Sequence, residues 1–320
     1  MPMPFLSVSA ISKKFDGQVA LHGITFMQRR LQRLAIAGET GSGKSTLLKT
    51  IAGLIQPDEG EVYFEGSPVK GPDERLVPGH PSIPYLSQNF ELAKFLRVEQ
   101  VFSYSNVLSD AEASSLFKVC QIDHLLKRKT DQLSGGERQR IAICRLLISS
   151  PRLLLLDEPF AHLDIVHKET LQAVIQDIGE RLGITVMLVS HDPTDILSWA
   201  DKIVVIRDGV LVQKGKPAKL YNNPADEYVA GLFGRYSSLD PDTASCLGLN
   251  TRKRRIIVRP EHFKVNRSGR KAQRAVITRK SFLGNYVLLE VTFHGSILIV
   301  KTEKAEHQVG DCVYLSIPNS

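Results

Sequence analysis

Between the apolar run Leu34–Ala37 and a helical pattern from Lys44 to Ala52 stands Gly38-Glu39-Thr40-Gly41-Ser42-Gly43-Lys44-Ser45, which fits G-x-x-x-x-G-K-[ST]. Few backbones accommodate such a stretch. Its glycines let successive backbone N–H groups turn inward around a phosphate chain, and the helix N-terminus adds its positive end. In that setting Lys44 reaches the outer phosphates and the Ser45 hydroxyl ligates Mg²⁺. A glycine-rich turn that merely opens a helix is the plain alternative, and the preceding strand and the Lys-Ser pair weigh against it. Alone, the motif means a nucleotide and phosphoryl chemistry on an α/β scaffold.

The rest of the first two thirds agrees. From about Leu6 to Gly234, buried-strand runs alternate with helical patterns, and Leu153–Leu156 and Thr185–Val189 are two more apolar strands. Leu153-Leu-Leu-Leu-Asp157-Glu158-Pro159 ends in adjacent carboxylates. Neighbouring side chains at a strand tip point different ways, so the two acids can do different jobs. Asp157 is expected to orient the magnesium shell, and Glu158 to act as general base toward the attacking water.

Leu133-Ser134-Gly135-Gly136-Glu137-Arg138-Gln139-Arg140 precedes another helical pattern and makes a second anion-binding helix start. A simple nucleotidase with one phosphate cradle has no need of it. This stretch resembles the signature of the ABC ATPase family. The resemblance covers about Leu6 to Gly234 with the family's motifs in order, and it implies two such domains facing head to tail. Ser134, Gly135 and Gly136 of one then close over the γ-phosphate held by the other's Gly38–Thr46 loop. It further implies that Phe15, in Lys13-Lys-Phe-Asp-Gly17, stacks on adenine where the family usually has Tyr. Gln88, in Tyr85-Leu-Ser-Gln88, is implied to touch Mg²⁺ and the water and to sense a membrane partner together with the segment 89–97. Leu163-Asp164 resembles the loop that crosses the dimer interface, and His191 the switch histidine at the γ-phosphate. His162 and His167, five apart, do not share a helix face, so no metal site is expected there. Three departures stand out: Glu39-Thr40 for the common Pro-Ser, Leu31-Gln32 for a common Gly-Glu turn, and a segment Gly71–Pro84 with four prolines.

Beyond a polar stretch, Ser237–Ser245, the pattern changes to short strands: Ile256–Val258, Ala275–Thr278, Tyr286–Phe293, Ile297–Val300 and Val313–Ile317. Five strands suit a small OB-like barrel. Ile256-Ile-Val-Arg-Pro-Glu-His262, Phe282-Leu-Gly284 and Gly310–Ser316 resemble the transport-associated OB-type domain that follows the ATPase in importers. The expected class is therefore α/β, a P-loop ABC ATPase domain with a mixed-sheet core and helical subdomain, followed by a small all-β OB-like domain. The expected boundaries are 1–235 for the ATPase, 236–250 for a linker and 251–320 for the barrel.

Charge follows the same division. The net charge is +7, but from Thr251 onward there are 14 basic and 5 acidic residues, a local excess of +9. The run Arg252–Arg255 reads as solvated or facing acidic lipid headgroups, with an anionic regulatory ligand as the next choice, and the scattered aromatics make nucleic acid the last. Apolar runs have strand length, Met-Pro-Met-Pro lacks a secretory pattern, and four unpaired-looking cysteines suit a reducing compartment. The resemblance thus implies a cytoplasmic, peripheral subunit on the inner membrane face, with ATP and Mg²⁺. Its partners would be a second copy of the chain, transmembrane permease subunits and, through them, an external substrate-binding protein. Two alternatives remain: an ABC-type ATPase outside transport, associated with nucleic acid or translation, and a nucleotide-dependent regulator.

Overall fold

The computed structural model describes residues 4–88, 92–103, 108–249, 255–266, 273–303 and 306–318. Two compact units divide the chain after Pro217. In the first, β1 (Leu6–Phe15) and β2 (Gln18–Gln28) pair antiparallel and continue through β4 (Glu59–Phe64) to β5 (Ser67–Pro68), in the order β2-β1-β4-β5. A second sheet contains β3 (Leu34–Ala37), β6 (Tyr85–Leu86), β7 (Leu153–Asp157), β8 (Thr185–Val189), β9 (Lys202–Arg207) and β10 (Val210–Gly215). Its order is β10-β9-β3-β8-β7-β6, parallel except for the edge strand β10.

Every residue of β3, β7 and β8 is buried. Parallel strands are covered on both faces, so they read as unbroken apolar runs rather than as alternations. The parallel direction decides what the sheet gathers. The carboxyl ends of β3, β8, β7 and β6 lie side by side, with Ile36 beside Val189, Asp157 beside Val189 and Leu86 beside Leu156. Motifs far apart in sequence thereby emerge along one edge, where ligands of such sheets bind.

The helices of this unit are α1 (Lys44–Ile51), α2 (Val98–Ser103), α3 (Asp110–Val119), α4 (Gly135–Leu147), α5 (Ile165–Leu182) and α6 (Pro193–Leu197). Both α3 and α4 open with a capping box, Ser109 with Glu112 and Ser134 with Glu137. Leu31 has φ 59, a left-handed conformation that explains why glycine suits this turn; the branched side chain here bears a cost of about 1 kcal/mol. Among the described residues no helix is long and apolar enough to cross a membrane.

The second unit contains α7 (Pro217–Asn222) from its second residue on, α8 (Glu227–Leu232), β11 (Ser237–Leu239), α9 (Pro241–Cys246) and β12 (Ile256–Val258). These are followed by β13 (Lys264–Asn266), β14 (Gln273–Phe282), β15 (Val287–Phe293), β16 (Ser296–Thr302) and β17 (Cys312–Ser316). An antiparallel sheet of order β13-β17-β14-β15-β16 forms its centre. Residues of β15 alternate between buried and half-buried, placing Val287, Leu289, Val291 and Phe293 inward.

Two expectations are corrected here. The stretch 236–250 is not a bare linker: it carries β11 and α9, and Leu239, Ala244 and Leu247 join the core of the second unit. The expected count of five strands holds for the sheet, but Ile256–Val258 pairs instead with β11, and β13 takes its place. Arg259, 2 % exposed, donates to the carbonyls of Tyr221 at 2.9 Å, Ala230 at 2.9 Å and Gly234 at 3.1 Å. Tyr221 in turn donates to Glu261 at 2.7 Å. The Arg-Pro-Glu stretch therefore grips the helical segment that precedes it in sequence. Of the basic run, residues 252–254 lie outside the described residues, and Arg255 pairs with Glu227 at 3.1 Å.

Candidate functional site

The glycine loop joins β3 to α1. Gly43 has φ 100, and a Cβ there would lie 2.4 Å from the Ala20 carbonyl, so no other residue fits without movement. Gly41, at φ 83, faces open space. Helix α1 has no side-chain cap, which leaves its N-terminal N–H groups directed at the loop. Lys44 is only 5 % exposed and folds back to donate to the carbonyls of Gly38 at 2.8 Å and Glu39 at 2.6 Å. Burial lowers its pKa, and the opposing fields of Glu158, Asp157 and Glu39 restore only part of the loss. A buried cation looking at two carboxylates and bound to loop carbonyls is poised to exchange those carbonyls for anionic oxygens. Ser45 is exposed beside it, Thr46 is half-buried, and Thr40 is exposed on the outer wall with Glu39, while Ser42 is buried.

At the end of β7, Asp157 is 3 % exposed and accepts the Tyr85 hydroxyl at 2.7 Å, while its Oδ1 is buried without a protein partner. Glu158 leaves the strand with φ 49, a strained conformation for a non-glycine residue, and its N–H is held by the Val189 carbonyl at 3.0 Å. His191 Nδ1 lies 3.0 Å from Glu158 Oε2, and the Gln88 amide donates to the same oxygen at 3.4 Å. Gln88, Glu158 and His191 thus meet, each just beyond its own strand. Gln88, expected at the magnesium ion, here faces the carboxylate. Of the segment 89–97, residues 89–91 lie outside the described residues.

The signature occupies the start of α4. Ser134 Oγ accepts the Glu137 N–H at 3.2 Å, and the Ser134 N–H donates to Glu137 Oε2 at 2.8 Å. Gly135 is exposed with nothing near its missing side chain, whereas a Cβ at Gly136 would meet the His167 ring at 2.9 Å. His167 Nδ1 lies 2.7 Å from Asp164, which also caps α5 through the His167 N–H at 2.9 Å. Backbone and side-chain bonds from His167 hold the Asp164 carboxyl below its ordinary value. The Gln139 amide bonds the Pro159 carbonyl, tying α4 to the residue after Glu158. A cleft of about 750 Å³ is lined by Gln88, Lys94, Gly135, Arg138, Glu158 and His162 among others. Phe15 ends β1 with 45 % of its surface exposed and Lys13 Nζ 5.5 Å from its ring centroid.

Three residues emerge only in the structure. Tyr85 sits on a two-residue strand with no period to reveal it, and Gln139 is hidden inside the signature helix pattern. His167 becomes visible only once Asp164 is known to cap its helix.

The family described as ABC transporter matches residues 21–161, and the TOBE domain matches residues 256–320. A spermidine/putrescine import ATP-binding protein of Spiroplasma citri is 30% identical over 99% of this chain and 96% of its own length. A sulfate/thiosulfate import ATP-binding protein of Mesostigma viride is 32% identical over 89% of this chain and 86% of its own. A glucose import ATP-binding protein of Saccharolobus solfataricus is 36% identical, covering 73% and 68%. Among solved structures, cbiO1 from Clostridium perfringens, part of an ABC transporter complex, superposes with TM-score 0.60 at 28% identity over 71% of this chain and 92% of that one. A dimeric post-hydrolysis ATP-binding cassette bound to ADP and Pi matches with TM-score 0.57 at 27% identity, covering 66% and 98%.

Proposed function

The chain belongs to the ABC transporter family of ATP-binding subunits, and from that premise we propose that it hydrolyses ATP to energise import through a membrane permease. The observation that carries the reading is the placing of the glycine loop after β3 and of Asp157 and Glu158 at the end of β7 along one sheet edge, with Lys44 buried in that loop. Import ATP-binding relatives favour transport over action on nucleic acid or pure regulation.

The residues carry distinct tasks in this proposal. The Gly38–Thr46 loop and Lys44 hold the phosphates, and Phe15 stacks on the base. Magnesium fits the residues present: Asp157 Oδ1 is buried without a protein partner, and the Ser45 hydroxyl is exposed at the helix start. When bound, Mg²⁺ neutralises charge on the β- and γ-phosphate oxygens. Glu158 takes a proton from the attacking water as its oxygen bonds to the γ-phosphorus and the bridge to ADP breaks. His191 holds the same water and the γ-phosphate, and Gln88 links this carboxylate to the permease side.

Ser134, Gly135, Gly136 and Asp164 have no role toward their own chain's loop in this scheme. They close over the nucleotide of a second copy, and ATP binding favours the closed pair because it touches both subunits. The similarity to a dimeric cassette bound to ADP and Pi supports that arrangement. We place the subunit on the inner membrane face, with an external substrate-binding protein reached through the permease.

Steady-state ATPase of Glu158→Gln tests the assignment. Turnover should fall about 100-fold or more, with ATP-bound dimers persisting. Turnover equal to the unaltered protein would remove Glu158 as the base.

A further inference from the structure

His191 has 62% of its side chain open, yet its position matters to the proposed chemistry. What steadies it lies behind it. Ser190 is buried; its Oγ accepts the Asp192 N–H at 3.1 Å and donates to Asp195 Oδ2 at 2.9 Å. Asp192 caps α6 by accepting the Thr194 N–H at 2.9 Å and the Thr194 hydroxyl at 2.7 Å. Lys168 Nζ then meets both acids, Asp192 Oδ2 and Asp195 Oδ1, each at 2.6 Å. One turn further along the same face of α5, Gln172 donates to Asp195 at 3.2 Å. This helix starts at Asp164, whose carboxylate caps it.

We propose that Lys168 is a positioning residue for ATP hydrolysis, locking the turn that carries His191 to helix α5 and hence to the Asp164 loop at its start. The proposal rests on the reading of His191 given above. Asp195 is 1 % exposed, and a carboxylate so buried is tolerated only with a partner. The titration behaviour agrees with the geometry. Burial works against the Lys168 ammonium, but its bonds to Asp192 and Asp195 outweigh this and raise its pKa. Burial pushes the Asp195 carboxyl up. Burial acts the same way on Asp192, yet bonds from Lys168 and Thr194 bring it below the ordinary value. One ammonium thus holds the side chains of the residues one and four places after His191. A helix of 18 residues that begins at the interface loop is a rigid arm, so a shift at Asp164 reaches His191 through Lys168. Removing the ammonium frees the His191 turn without touching any group that contacts the nucleotide.

The test is steady-state ATPase of the full chain bearing Lys168→Met, Lys168→Arg, His191→Ala or Lys168→Met with His191→Ala. Lys168→Met should lower kcat about ten- to a hundredfold, the scale of a small misplacement of a reacting group, with the KM for ATP within about twofold because no phosphate contact is lost. Lys168→Arg, which keeps the charge and can donate to both acids, should restore most of kcat. The double variant should be no slower than His191→Ala alone, since Lys168 acts through that histidine. Unchanged kcat in Lys168→Met beside an impaired His191→Ala would overturn the proposal alone, as would losses that multiply in the double variant. Undiminished kcat in His191→Ala would remove the reading of His191 and the proposal with it. Should Lys168→Met fail to fold, Lys168→Met with Asp195→Asn removes the half-buried ammonium together with the buried carboxylate it faces; full kcat there overturns the proposal, and the same loss supports it.

Discussion

Asp157 Oδ2 accepts the Tyr85 hydroxyl at 2.7 Å, while Oδ1 of the same carboxylate is buried with no protein partner. Half of this acid is satisfied by the fold and half is held open. Burial first, and then the bond to Asp157, raises the pKa of Tyr85, so the phenol keeps its proton and stays a donor at neutral pH. Tyr85→Phe leaves both oxygens unpartnered and should cost about 1–3 kcal/mol in urea unfolding without nucleotide. Asp157→Asn keeps an acceptor for Tyr85 but loses the charge. It should spare most of that stability while raising the Mg²⁺ needed for half-maximal ATPase about tenfold or more.

Glycines at the starts of α1 and α4 should respond differently to one added methyl group. Gly43→Ala must put a Cβ 2.4 Å from the Ala20 carbonyl at φ 100, so it should lose about 1–3 kcal/mol in unfolding measurements. Gly135→Ala meets nothing within 4 Å and opens α4, so its isolated stability should be unchanged or up to about 1 kcal/mol higher. Its ATPase should nevertheless fall about tenfold or more, because in the proposed dimer the open face of Gly135 is the one a second copy approaches. Full turnover in Gly135→Ala would detach the signature from the nucleotide.

These contrasts mark what was legible in advance. The strands β3, β7 and β8 announce themselves because burial on both faces leaves unbroken apolar runs, and the strand-loop-helix setting makes Gly38–Ser45 specific. Ser134 and Glu137 stand at the spacing of a capping box. What escaped is tertiary. Strand β6 has two residues and β13 has three, too few for any period, so neither the place of Tyr85 nor the fifth strand of the second unit's sheet shows. The stretch 236–250 is polar enough to read as a linker. Its Asp240-Pro241 pair is a helix start all the same, and Leu239, Ala244 and Leu247 bury enough apolar surface to fix it.

Phe15 is 45 % exposed at the end of β1, which leaves its ring accessible to a flat ligand. A stack on adenine is worth about 0.5–1.5 kcal/mol, so Phe15→Ala should raise the KM for ATP about two- to tenfold with kcat unchanged. Phe15→Tyr, which keeps the π-face, should restore the KM. Equal KM values for Phe15→Ala and the unaltered protein would mean that the ring stacks on nothing.

Asp201 clamps the starts of two neighbouring strands. Its Oδ2 accepts the Arg33 N–H at 2.9 Å, its Oδ1 lies 2.9 Å from Arg33 Nη2, and the Asp201 N–H returns a bond to the Arg33 carbonyl at 2.9 Å. Arg33 precedes β3, and Asp201 precedes β9. Burial favours the neutral acid, yet the bonds from Arg33 outweigh it and hold the carboxyl below its ordinary 3.8. The sign follows from that direction. A depressed folded value means that the charged form is favoured in the fold, so the contribution is whole above 3.8 and disappears as pH falls through the lower folded value. With side chains 39% and 43% exposed, solvent limits the ion pair to about 1 kcal/mol at most. Asp201→Asn should therefore lower the urea midpoint slightly at neutral pH. The gap should shrink in 1 M salt, to the order of magnitude that screening allows, and close progressively in acid below 3.8. A gap that persists unchanged in strong acid would assign the clamp to its backbone bonds alone.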